Sequence, residues 1–132
     1  MKAAYVSVVF HWWEGCRAQD IRQLDSVLRE TTEAHEILIV LAPDNLVHYR
    51  SSDCNDMDRL SGPISVVVTR AGTSHDTAML VGIGRSVGDF VLEWDANIAD
   101  ITAALLSDML TETDLGSEVV ELVPLHTHTK TK

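Results

Sequence analysis

Four segments of this chain are nearly unbroken runs of β-branched and other apolar residues: AYVSVVF (4–10), EILIVLA (36–42), ISVVVT (64–69) and DFVLEW (89–94). Continuity of this kind, in place of alternation, predicts strands covered on both faces, which is the condition of a parallel sheet. EVVELV (118–123) is a fifth and weaker run. Between the runs the apolar period becomes helical. Ile21, Leu24, Val27 and Leu28 mark a helix over 18–33, Ala78, Leu80, Val81 and Ile83 one over 74–86, and Ile101, Ala104, Leu105 and Met109 one over 99–111. Segment 43–62 is less regular and predicts mostly loop with a short helix near 53–60, closed by Gly62-Pro63. The order β-α-β-(α)-β-α-β-α-β defines an α/β fold with right-handed crossovers. In such open sheets a ligand sits beyond the carboxyl ends of the strands, where the strand order reverses. The residues to inspect are therefore HWWEG after the first strand, PDN after the second, RAG after the third and DAN after the fourth.

The 132 residues suffice for one domain around one core, placed at 1–124, with 125–132 as a polar tail. Ten Lys and Arg against 20 Asp and Glu leave a net charge of −10, which argues against nucleic acid or an anionic membrane as a main partner. An anionic ligand remains compatible if backbone amides or a metal supply the positive field. The two cysteines, Cys16 and Cys54, have no CxxC spacing, so reduced thiols in a cytoplasmic protein are expected. The first apolar run is followed by HWWEG instead of a small-residue cleavage site, and it reads as a strand. No run approaches the roughly 20 apolar residues that span a bilayer.

Several chemistries fail on their own requirements. A phosphorelay receiver needs acids after the first strand, where this chain has His11, Trp12 and Trp13. GIGRSVG (82–88) lacks the last glycine of GxGxxG and precedes a strand where that motif follows one. Cys16, Cys54, His75 and Asp76 show no local pattern of a Cys–His nucleophile, and His126 and His128 read as solvated tail residues.

Taken together, the strand-end segments resemble the nucleotide-binding half of glycosyltransferase family 2, which has the GT-A fold. YVSVVFHWWEG resembles the family's opening strand, EILIVLAPDN its second strand, and GTSHDTAMLVGIGRSVGDFVLEWDANIAD the stretch leading into its DxD motif. Val81-Gly82-Ile83, Gly88-Asp89 and Asp95-Ala96-Asn97 fall in register with that stretch, Asp100 takes the following acidic position, and SEVVELVP resembles the next strand. The resemblance extends to Pro124. It implies a GT-A-like, Rossmann-like, mostly parallel sheet flanked by helices, as a single truncated domain. It also implies a nucleotide-sugar as ligand and a divalent ion, Mn2+ or Mg2+, as cofactor. The departures are His11 for the family's proline, Leu41 and Ala42 for its acidic pair, and Asn97 for the second acid of DxD. The acceptor half and its base are expected beyond this chain, so the domain is expected to be degenerate or part of a larger glycosyltransferase assembly.

On this reading Asp95 and Asn97 are the metal ligands. Hard ions take oxygen donors, and phosphates supply several of them, so one carboxylate suffices. The competing role for Asp95 is capping the helix near residue 99. Trp12 and Trp13 form an aromatic surface suited to stacking on a base, although tandem tryptophans also pack cores. Asp44 stands near the missing base-reading acid as a displaced substitute, Arg70 is either a phosphate contact or a solvated arginine, and His11 is either a ligand contact or a satisfied structural histidine. No residue qualifies as a catalytic base. The alternative is a non-catalytic GT-A-like module that forms homo-oligomers through surfaces the missing half would cover.

Overall fold

The computed structural model describes residues 3–13, 15–51, 62–94 and 103–114. They form β1 (Ala3–His11), α1 (Ala18–Thr31), β2 (Thr32–Leu41), α2 (Pro43–Ser51), β3 (Ile64–Val68), α3 (His75–Arg85), β4 (Phe90–Trp94) and α4 (Ala103–Asp114). The strands make one sheet in the order β3-β2-β1-β4, and every neighbouring pair is parallel. This is the α/β architecture that the continuous apolar runs predict. The fifth run, at 118–123, and the tail at 125–132 lie outside the described residues, as do Asp95 and Asn97.

The chain steps from β1 to β2 to β3, and α3 then carries it back to the far side of β1. Crossovers of one hand place α1 and α3 on opposite faces after such a reversal. Strand alternation supplies both faces. Val6, Val8, Phe10, Ile37, Ile39 and Leu41 pack with Ile21, Leu24, Val27 and Leu28 of α1 and with Leu106 of α4. On the other side Val9, Leu38 and Val40 meet Ala78 and Met79 of α3. No helix among the described residues is long and apolar enough to cross a membrane.

Three expectations need correction. The two outer strands are not covered on both faces, because Val66 and Val68 of β3 and Val91 of β4 are exposed. Each outer strand has a single neighbour in the described sheet, and the packed helices contact chiefly β1 and β2. Segment 43–62 contains a helix at Pro43–Ser51, earlier than expected, whereas 53–60 lies outside the described residues. Proline at the first helical position costs no hydrogen bond and presets the backbone, and Leu46 and Tyr49 anchor the helix to the core.

The third correction concerns α3, which buries Ala78, Met79 and Gly82 while Leu80 is 66% exposed. The helix is apolar around most of its circumference, so periodicity alone misplaces the face. Gly82 decides it. A Cβ there would collide with Val9 and press on Val40, so this is where the helix backbone rides directly on the sheet.

Two buried polar clusters tie the elements together. Glu36 Oε2 accepts hydrogen bonds from the Ser7 hydroxyl at 2.5 Å and from Val87 N at 2.9 Å, and Gly88 N donates to Ser7 Oγ at 2.8 Å. Near the opposite face, His35 Nε2 and Asp25 Oδ1 are 2.6 Å apart, and Gly62 N donates to the same oxygen. The first cluster fixes the turn into β4 and the second fixes the entry to β3.

Candidate functional site at the carboxyl edge of the sheet

The reversal of strand order falls between β1 and β4, so the crevice lies beyond His11 on one side and Trp94 on the other. β1 ends by donating Trp12 N to Val40 O at 2.8 Å, after which a tight turn returns Cys16 N to Trp13 O at 3.0 Å. The two tryptophans of that turn have opposite fates.

Trp12 is fully buried. Its ring packs edge-on against Phe10 and Tyr49, and its Nε1 donates to His48 Nδ1 at 3.0 Å. Stacking of Trp12 on a nucleotide base is thereby corrected: both its ring and its donor are used inside the protein. An indole so large is held in place by contacts on every side, and the His48 bond removes the cost of burying its N–H. Trp13 is 60% exposed at the mouth of the crevice. Its indole lies over Gly15, where any Cβ would overlap the ring. The glycine of HWWEG thus lets a flat aromatic surface rest on the turn while most of it faces solvent.

Asp44 is exposed in the first turn of α2, just past the end of β2. Arg70 is exposed after β3, and its carbonyl accepts hydrogen bonds from Thr73 N and Thr73 Oγ1. Gly72, at φ +82°, takes the left-handed position in that turn. Both residues sit on the carboxyl edge as the topology requires. Arg70 follows a strand two places from β1, roughly 10 Å away at the usual strand spacing. The structure therefore places His11 and Trp13 at the end of β1 and sets Asp44 and Arg70 further along the same edge.

The sequence reading missed the closest partner of His11. His11 Nδ1 and His75 Nδ1 are 2.7 Å apart, and the two rings meet with their centroids 4.9 Å apart and 27° between their planes. Ser74 caps α3 by accepting from Thr77 N, which places His75 at the first helical position and over the end of β1. Burial, and then the charge of His75, hold the His11 imidazole below its ordinary value. Ser74 as an N-cap was the available signal, since it puts the next residue at the crevice.

Two further groups complete the edge. Trp94 is buried at the end of β4, and its Nε1 has no hydrogen-bond partner among the described residues. Cys16 is a buried free thiol that burial pushes up; the nearby Asp20 acts in the same direction, and a hydrogen bond from Trp13 N opposes both. No group of three or more metal-binding side chains occurs among the described residues. No family model matches the chain, and comparison with curated proteins and with solved structures gives no match either.

Proposed function

We propose that this chain is a nucleotide-sugar-binding domain related to the nucleotide half of glycosyltransferase family 2, with a GT-A-like sheet and a degenerate site. The observation that carries this reading is the exposed indole of Trp13 at the reversal of strand order. A parallel sheet of this kind takes ligands at that reversal, and an exposed aromatic face there stacks on a base without demanding a particular one. In this reading Arg70 meets a phosphate and Asp44 lies toward the base. Asp95 and Asn97, outside the described residues, would be the residues to hold Mn2+ or Mg2+. That ion would supply charge neutralisation of the diphosphate. With no base identified, binding is proposed, and transfer of the sugar is assigned to a larger assembly.

Calorimetric titration with UDP- and GDP-sugars, with and without Mn2+, tests the reading. Stacking on one base is worth about 1–3 kcal/mol, so Trp13→Ala should weaken binding by about tenfold or more. Absence of heat with every nucleotide, or binding unchanged by Trp13→Ala, would overturn it. A second reading, an oligomerisation module of the same fold, is favoured by the exposed valines Val66, Val68 and Val91 on the two outer strands. Sedimentation at tens of micromolar separates the two, because a stable monomer removes the second.

A further inference from the structure

The contact between His11 and His75 has a property that neither ring has alone. A hydrogen bond between two Nδ1 atoms needs one proton between them, so one ring donates and the other accepts. Two neutral rings satisfy this with opposite tautomers. One neutral and one charged ring satisfy it better, because the bond is then charge-assisted. Two charged rings cannot make it, since both Nδ1 atoms carry protons and the rings repel. At 2.7 Å the two nitrogens are well inside hydrogen-bonding range.

We propose that His11 and His75 form a pH-sensitive latch, which holds the first turn of α3 against the carboxyl end of β1 while the pair carries at most one charge and releases it when both rings are charged. The latch is independent of whether the crevice takes a nucleotide. It joins residues 64 positions apart, on a strand end and a helix start. The pair belongs to no group of three metal-binding side chains among the described residues, and the shared proton is what its geometry specifies.

The surroundings keep the device simple. β2 places Val40 beside His11, and among the described residues β4 pairs as far as Phe10 with Trp94, with Glu93 opposite Val9. α3 contributes His75 and Asp76, and the loop before it contributes Arg70. Among the described residues, burial and then the charge of His75 lower the His11 value. Coupled imidazoles lose and gain protons in two macroscopic steps that belong to the pair. Release then sets free the helix start that forms one wall of the crevice.

Hydrogen exchange on the full chain, followed residue by residue and corrected for the intrinsic pH dependence of exchange, tests the latch. Protection of the Thr77 and Ala78 amides should fall by about tenfold between pH values near 7.5 and near 5, with Ile39 and Val40 in the sheet unchanged. In His75→Gln the fall at Thr77 and Ala78 should disappear, because the variant cannot gain the second charge. If His75→Gln loses native chemical-shift dispersion, His11→Gln serves in its place and must give the same flat profile. An equal fall in the variant, or no fall in the natural chain, overturns the proposal.

Discussion

The hydroxyl of Ser7 and the carboxylate of Glu36 lie 2.5 Å apart in the interior, on adjacent strands, and between them they hold the turn into β4. Removing the carboxylate leaves the buried Ser7 hydroxyl and the partly buried Val87 N without their acceptor. Each unpaired buried donor costs about 1–3 kcal/mol, so Glu36→Ala should lower stability by about 3 kcal/mol in urea unfolding. Glu36→Gln keeps an acceptor oxygen and should cost less than half of that. Equal losses in the two variants would mean that the packing of the side chain, and not its hydrogen bonds, holds the turn.

The same turn explains one glycine and sets it apart from another. A Cβ on Gly88 would lie 2.7 Å from Ser7 Oγ, 2.8 Å from Ser7 N and 3.0 Å from Tyr5 O, two of which are backbone atoms that cannot move aside. Gly88→Ala should therefore destabilise by about 1–3 kcal/mol. Gly84, inside α3, has nothing within 4 Å of its Cβ position. Gly84→Ala should stabilise by about 0.5–1 kcal/mol, because alanine is the better helix former. The opposite signs are read directly from thermal midpoints of the two variants.

The adjacent tryptophans should separate stability from binding. Trp12→Ala removes a buried aromatic ring and leaves His48 Nδ1 without its donor, at a cost of about 3–5 kcal/mol. Trp13→Ala removes a largely solvated ring and should change stability by about 0.5 kcal/mol or less. Chemical denaturation of both variants checks this, and a large loss in Trp13→Ala would show that its ring is part of the core.

Stability should also carry the signature of His11. Its imidazole is held below the ordinary histidine value in the fold, so the unfolded chain binds the proton first as pH falls. The His11 contribution is fully present above the unfolded value near 6.5 and is lost as pH falls from there through the lower folded value. Unfolding free energies of the natural chain and of His11→Gln, compared from pH 8 to 5, should differ in that direction. A natural chain that gains stability relative to the variant over the same interval contradicts it.

The elements themselves were legible locally. The apolar runs that became β1 and β2 are buried almost throughout, and Ile21, Leu24, Val27 and Leu28 all lie on the buried face of α1. The α/β order alone put PDN and RAG at the carboxyl edge, just past β2 and β3, whereas DAN lies outside the described residues. Helix α2 was missed because a short helix anchored by Leu46 and Tyr49 has little periodicity to detect. The buried side of α3 was read only in part, with Ala78 and Ile83 on it and Leu80 off it, because a helix that is apolar almost all round carries no preferred face.

What the sequence by itself determined is the class of fold, since an unbroken apolar run or a helical period is a property of neighbours along the chain. What only the tertiary structure decided is which of these surfaces met. Trp12 and Trp13 are identical and adjacent, yet one is in the core and the other in solvent, because strand alternation sends them to different environments at the end of β1. His11 and His75 became partners only when Ser74 started a helix at the strand end. Val66, Val68 and Val91 were spelled like buried residues and are exposed because their strands came to lie at the two sides of the described sheet. Apolar character along a strand favours burial, but burial itself depends on a neighbouring element, and that neighbour is chosen by contacts far apart in the chain.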